Sequence, residues 1–277
     1  MDRWQFCAAL GSGLVLGAWP AALLAQGALP SSPLDAPGAI NLAGRLRMLS
    51  QRSVKAYLML GQGIEVQRAQ PLLLSSLERI EAHLQSLRAW QPTPKVSAAL
   101  GALAAASKPC LLVLRATPSK AGASALYDAS DALQQAAHTT TLAYEQVNAS
   151  PIEHLIALAG RQRMLSQRMA MLYLYCAWGL YDAPAHVELH LSRARFIPEL
   201  AQIEASQLAT PQIRGDIAAI RREWEPYQAR LLAQTAPAQM RQDAPAVVEL
   251  SERLLVALEA LVERIVALAR ATPATAR

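Results

Sequence analysis

Aromatic residues and strand-type patterns are the first features that this 277-residue sequence lacks. Aromatic side chains make up 5% of the chain, with 2 phenylalanines, and alternating runs of Val, Ile, Thr and Tyr are missing. Hydrophobic residues still supply 53% of the sequence, mostly as alanine and leucine. This composition argues against a sheet-based core and predicts an all-α protein made of helices packed on helices.

Signatures of catalysis and of nucleic-acid binding are also missing. The sequence has no Ser/His/Asp arrangement, no glycine-rich phosphate loop and no paired-carboxylate pattern, so we expect neither an enzyme nor a bound cofactor. The formal net charge is +5, but the basic residues are scattered and form no Lys/Arg block. Scattered arginines suit small anions better than a nucleic acid.

Cysteine is scarce, with 3 residues, and one of them lies in an N-terminal leader. Residues 1–25 place Arg3 before an apolar run that ends in small residues, the pattern of a secretory signal peptide cleaved after Ala25. The alternative is a retained membrane anchor, and no other stretch is predicted to span a bilayer. We therefore expect a periplasmic protein. Its remaining cysteines, Cys110 and Cys176, either form one disulfide or stay as buried free thiols.

One ten-residue stretch occurs twice, as AGRLRMLSQR at 43–52 and as AGRQRMLSQR at 159–168. The copies differ at one position, and their glycines, Gly44 and Gly160, lie 116 residues apart, which indicates a tandem duplication. We expect a linker at 26–38 and two antiparallel four-helix bundles, at 39–149 and 152–272, arranged as a pseudo-dimer. The predicted helices are 39–61, 66–90, 96–115 and 124–148, then 152–181, 184–207, 211–234 and 240–271.

The repeated stretch places an arginine among small residues on one side of a helix. We call this surface the seam, and it comprises Ala43, Gly44, Arg47 and Ser50 in the first copy and Ala159, Gly160, Arg163 and Ser166 in the second. Packing one half of the seam on the other would bury both halves about an approximate two-fold axis. A helical glycine costs about 1 kcal/mol relative to alanine, so its repetition indicates a packing or binding role.

Acidic residues are absent around both copies of the seam. No Asp or Glu occurs between Ala39 and Gln62, or between Glu153 and Asp182. Two arginines that meet in a desolvated place need a counter-charge, which an external planar oxyanion could supply by accepting paired N–H bonds. The other arginines of the motif face elsewhere, as rim charges that steer anions or as partners of neighbouring helices: Arg45, Arg52, Arg161 and Arg168. The alternative is that every arginine is solvated or paired with helices two and four.

The segments INLAGRLRMLSQR at 40–52 and IALAGRQRMLSQRM at 156–169 resemble the N-terminal sensor domain of type IV pilus methyl-accepting chemotaxis transducers. They are similar, more loosely, to the first-helix motif of nitrate/nitrite sensor kinases. The resemblance implies a periplasmic four-helix bundle that holds nitrate or nitrite between paired first helices. It assigns the ligand-holding arginine to Arg47 and Arg163 and the nearby glycine to Gly44 and Gly160.

The sequence therefore predicts an exported sensor that binds a small oxyanion, nitrate or nitrite, at the seam. Family members usually continue into signalling modules, and none follows here, so we expect a separate protein partner to carry the output. One alternative is a helical adaptor or structural protein of the cell envelope that binds no ligand. A weaker alternative is a metal carrier that uses methionines with His186 and His190, although we expect no metal site.

Overall fold

The computed structural model describes residues 34–271, and within this range the protein forms eight α-helices and no β-strand. The all-α prediction is confirmed. The predicted signal peptide at 1–25 and most of the predicted linker lie outside the described residues. The helices are α1 (Ala36–Gln62), α2 (Val66–Arg88), α3 (Pro94–Leu114), α4 (Lys120–Asn148), α5 (Pro151–Ala177), α6 (Asp182–Ala205), α7 (Pro211–Ala233) and α8 (Pro237–Ala271).

The first helix begins inside the predicted linker because Asp35 caps it. The carboxylate of Asp35 accepts a hydrogen bond from the backbone N–H of Gly38 at 2.9 Å. Pro37 fits the first turn, where no N–H partner is needed. The helix ends before Gly63, whose φ of 69° is a conformation that glycine adopts without strain. Nearly every residue between these two ends is buried, which makes α1 a central helix.

The eight helices form two four-helix units that meet through their first helices. Within the first unit, α1 packs on α2 and α4, and α3 packs mainly on α4. The second unit repeats this plan, with α5 packed on α6 and α8, and α7 packed on α8. The most extensive packing of all joins α1 to α5. The predicted arrangement of two tandem bundles is confirmed.

Equivalent residues of the two copies differ in number by one of two constant amounts, depending on the helix. Residues of α1 and α2 match those found 116 positions later in α5 and α6, whereas α4 and α8 differ by 121 positions. The larger offset follows from equivalent ion pairs across the approximate two-fold axis: Arg52 of α1 binds Glu252 of α8, and Arg168 of α5 binds Asp131 of α4. With these offsets, each side chain at the seam can be compared with its counterpart.

Of the described helices, α3 alone is long and apolar enough to cross a membrane, judged by length and composition. The sequence analysis missed this stretch. Core helices of bundles pass the same test, and the buried side of α3, including Val96, Leu103 and Cys110, packs within its own unit. Cys110 and Cys176 are both buried and form no disulfide, so the disulfide alternative was wrong.

A cluster of buried charged and polar side chains joins α1, α5 and α8. Glu252 accepts hydrogen bonds from Arg52 Nε at 3.1 Å and from Lys55 Nζ at 2.6 Å. Lys55 also donates to Gln167 Oε1 at 2.6 Å and to Ser251 Oγ at 3.0 Å. Burial alone would raise the pKa of Glu252, but the two cations outweigh it and lower this pKa to about 2. The cluster therefore ties the first unit to the second through a fully ionised carboxylate.

Replacing Glu252 with glutamine should destabilise the fold strongly, because Arg52 and Lys55 would remain buried without a counter-charge. We expect the free energy of unfolding to fall by about 3–5 kcal/mol, measured by urea denaturation at pH 7. Glu81→Gln is the control, since Glu81 pairs with Arg115 at an exposed position and should change stability by at most about 1 kcal/mol. Equal effects of the two variants would contradict the prediction.

Lowering the pH should remove the same negative charge that the Glu252→Gln variant removes, and should likewise destabilise the fold. Because the folded-state pKa of Glu252 lies below its ordinary value of 4.5, its contribution is present above pH 4.5 and is lost as the pH falls toward 2.

Candidate oxyanion site

The two glycines of the seam face each other where α1 crosses α5. A Cβ atom added to Gly44 would lie 3.9 Å from the Cα of Gly160, and the reverse substitution would give the same distance. The same added atom on Gly44 would lie 3.4 Å from Arg47 Nη2 and 3.5 Å from Arg163 Nη2. The tips of both arginines therefore border the space that a side chain would fill. The seam brings Arg47 and Arg163 together, as the repeat predicted.

Arg163, in the second copy, has a carboxylate partner and a side-chain amide partner. Its Nη1 donates to Glu259 Oε2 of α8 at 2.7 Å, and its Nη2 donates to Asn41 Oδ1 of α1 at 2.8 Å. Burial lowers the pKa of this fully buried guanidinium, and the charge of Glu259 opposes that shift while Arg45 adds to it. The charge of Arg163 is balanced inside the protein.

Arg47, in the first copy, has weaker partners. Its Nη2 donates to the backbone oxygen of Ala157 at 3.0 Å, and its Nη1 lies 3.3 Å from His138 Nδ1. No ion pair connects Arg47 to a carboxylate within residues 34–271, although its side chain is only 1% exposed. Burial, followed by the charges of Arg161 and Arg163, lowers the pKa of Arg47 to about 9. This buried cation lacks a counter-charge of its own.

Two substitutions between the copies explain the difference. At the offset of 121, His138 of α4 corresponds to Glu259 of α8, so an imidazole stands where the second copy has a carboxylate. At the offset of 116, Ala157 corresponds to Asn41, so Arg47 receives a backbone oxygen but no side-chain amide. Burial, then Arg47 and Arg161, lower the pKa of His138 to about 4. A neutral imidazole cannot balance the arginine beside it.

The remaining predicted site residues lie at the seam without touching the guanidinium groups. Ala43 and Ala159 are fully buried small residues at the crossing of α1 and α5. The hydroxyl of Ser50 donates to the backbone oxygen of Arg47 at 2.8 Å, and Ser166 does the same with Arg163. Both hydroxyls are thus occupied by their own helices. The alanines and serines provide close packing, and their predicted role as ligand contacts stays a prediction.

The other arginines of the motif are partners of neighbouring helices, which was one of the two predicted roles. The rim position was wrong for two of them, since Arg45 is 9% exposed and Arg52 is 3% exposed. Arg45 binds Glu259 at 3.0 Å and Glu263 at 2.5 Å, both on α8. The pairs of the second copy are more exposed, with Arg161 on Glu199 at 3.2 Å and Arg168 on Asp131 and Glu188.

Sequence reasoning missed the three residues that distinguish the two arginines: Glu259, His138 and Asn41. A signal for them was present, because aligning the copies with a shift before α8 places His138 opposite Glu259. A constant offset of 116 would instead pair Glu259 with Ala143 and hide the difference.

Two four-helix units that meet through their first helices form an approximately two-fold symmetric pair of helical bundles within one chain. The family model of the type IV pili methyl-accepting chemotaxis transducer N-terminal domain (PilJ) matches residues 34–141 and again residues 148–248. The chain therefore belongs to this family and carries two copies of its domain. PilJ domains are sensor domains, typically periplasmic, of a non-catalytic signal-transducing family. No curated protein and no solved structure matches the chain.

The pKa of His138 should be low because the imidazole is partly buried beside the charges of Arg47 and Arg161. We expect His138 to stay neutral down to about pH 4, where the ordinary value is 6.5, in an NMR titration of its ring nitrogens. Because the unfolded chain takes up this proton first, the contribution of His138 to stability is full above pH 6.5 and is lost as the pH falls toward 4.

The Arg47→Met variant tests whether the charge of Arg47 contributes to the low pKa of His138. Its methionine removes the charge beside His138, so the pKa of His138 should rise toward its ordinary value. His83 is the internal control, because its pKa of about 3 depends on burial and on Arg45, Arg79 and Arg163. A wild-type His138 that titrates near pH 6.5 would show that the imidazole is not held neutral at the seam.

Proposed function

We propose that this protein is an exported sensor that binds a small planar oxyanion, nitrate or nitrite, between α1 and α5. The observation that carries the proposal is the fully buried guanidinium of Arg47, which has no carboxylate partner in the described chain. A buried cation without a counter-charge is costly, and an anion that enters the protein removes this cost. The protein performs no reaction on the ligand in this proposal.

The donors at the seam suit a planar anion. In a guanidinium group, Nε and Nη2 lie on one edge and donate in parallel to two oxygens. Both Nη2 atoms lie beside the glycine pair, and the Nε atoms of Arg47 and Arg163 are buried with no hydrogen-bond partner. An oxyanion at this point accepts from the edge of each arginine. It replaces weak neutral acceptors such as the backbone oxygen of Ala157.

The two arginines take unequal parts in this proposal. Arg163 is already neutralised by Glu259, so it contributes hydrogen bonds more than net charge. Arg47 contributes the charge. Hydrogen bonds to charged groups are worth about 1.5–3 kcal/mol each, so two to four of them support binding in the micromolar to millimolar range. A ligand held by both first helices changes how α1 and α5 pack, and a separate partner protein would detect that change.

Thermal unfolding of the chain without its leader tests the proposal. We expect nitrate or nitrite to stabilise the protein by about 2.7 kcal/mol at a hundred times the dissociation constant, or about 5–10 °C, while chloride and sulfate at matched ionic strength do not. Arg47→Met should abolish this response and leave the ligand-free protein at least as stable, because the substitution removes an unbalanced charge. An equal response to all four salts would favour the adaptor alternative.

A double variant, Gly44→Ala with Gly160→Ala, tests the location. The added Cβ atoms would lie 3.4 to 3.5 Å from both Nη2 atoms and would occupy the space in front of them. The helices themselves should gain about 1 kcal/mol for each replaced glycine, so the variant should fold. We expect it to lose the nitrate response. Retention of the full response would place the ligand away from the seam.

A further inference from the structure

A cavity of about 320 Å³ lies between the two copies, bounded by α1 and α4 of the first and by α5 and α6 of the second. Four arginines line it: Arg47, Arg161, Arg168 and Arg195. Their neighbours in the wall include Gln134 and His138, and none of the lining residues is an Asp or a Glu. The cavity lies on the His138 side of Arg47. At the seam, Nη2 of the same guanidinium lies beside the glycine pair, whereas Nη1 faces His138.

The positive charge of this cavity is only partly balanced. Arg161 pairs with Glu199, and Arg168 pairs with Asp131 and Glu188, so these two are already compensated. Arg195 is exposed and forms no hydrogen bond or ion pair with the part of the chain that the structure describes. Together with Arg47, it leaves two cations that face one volume without a carboxylate.

Comparison of the two copies shows that the polar side chains which α4 contributes to the cavity have no polar counterpart in α8 except at one position, which is acidic. The counterparts of Gln134, Gln135 and His138, at the offset of 121, are Leu255, Val256 and Glu259. Leu255 is only 1% exposed, and Glu259 binds both Arg163 and Arg45. The equivalent positions in the second copy therefore carry apolar side chains and a carboxylate, where the first copy carries amides and an imidazole.

We propose that this cavity is a second binding site, distinct from the seam, for a small molecule carrying two or more negative charges on phosphate or carboxylate groups. Two negative charges on the ligand would match the buried charge of Arg47 and the exposed charge of Arg195. A volume of about 320 Å³ is in the range of small-molecule sites and far exceeds one nitrate ion.

The polar wall of the cavity complements such a ligand. Gln134 and Gln135 supply amide donors. His138, whose Nδ1 faces Arg47 Nη1, carries its proton on Nε2 when neutral, where it can donate. The bound anion therefore meets arginine, amide and imidazole donors and no competing carboxylate in the cavity wall.

Isothermal titration of the leaderless chain with inorganic phosphate and with citrate, at constant ionic strength, tests the proposal. We expect Arg195→Ala to weaken binding of at least one probe by about tenfold or more, since it removes a charge-assisted contact. Arg79→Ala is the matched control, because Arg79 of α2 corresponds to Arg195 of α6 but does not line the cavity. Binding that is equally weakened by both variants, or an absence of binding heat at millimolar probe, would overturn the proposal.

A third variant, His138→Glu, separates loss of binding from loss of folding. It gives the first copy the carboxylate that the second copy has in Glu259. It should raise the melting temperature by neutralising Arg47 and at the same time abolish phosphate or citrate binding. Unchanged binding in this variant would also refute the site.

The seam and the cavity can be distinguished with the same set of proteins. Arg195→Ala should keep the nitrate response, and the variant with alanine at both Gly44 and Gly160 should keep the binding of phosphate or citrate. If nitrate fails to stabilise the wild-type protein while Arg195→Ala still weakens citrate binding, the seam proposal fails alone. If nitrate stabilises the wild-type protein but Arg195→Ala does not weaken binding of phosphate or citrate, only the cavity proposal fails.

Discussion

The close crossing of α1 and α5 at Gly44 and Gly160 is the constraint on which the rest of the structure depends. With no side chain on either glycine, the two helices approach closely, and the tips of both arginines lie beside the glycine pair. Both guanidinium groups are thereby withdrawn from water, where a charge is costly unless it is paired. Glu259 supplies the counter-charge for Arg163, and no residue in the described part of the chain supplies an equivalent one for Arg47.

Local sequence patterns were sufficient to predict the helices, the duplication and the meeting of Arg47 with Arg163. Periodicity and repetition are local properties, and a repeated glycine beside a repeated arginine needs no distant information. The positions of the counter-charges could not be predicted in this way. Arg45 and Arg52 were expected at a rim, yet their carboxylates, Glu259 and Glu252, lie about 200 residues away on α8. Only the packing of α1 against α8 brings them together, and that packing follows from the pseudo-dimer as a whole.

The apolar composition of α3 shows a second limit of local reasoning. A stretch that meets the length and composition of a membrane span here packs one of its sides on α4 within a helical bundle. The other side of α3 is exposed although it is also apolar, as Leu112 shows with 74% exposure. A spacing of three and four residues between apolar positions therefore does not identify which side of this helix is buried. The sequence predicted that this segment forms a helix. It did not predict which side of the helix is buried, because that depends on packing against other helices.

Duplication within one chain has a consequence that a dimer of identical chains cannot have. In a homodimer, a change at one copy of a symmetric site appears at the other copy as well, so both arginines would keep or lose a carboxylate together. Here each half mutates independently, and the halves have diverged at the positions of His138 and Glu259. One half compensates Arg163 with the carboxylate of Glu259, while the other buries Arg47 without a carboxylate partner among the described residues. One repeated motif therefore supplies a compensated and an uncompensated cation, and our proposed function assigns the ligand's charge to the second.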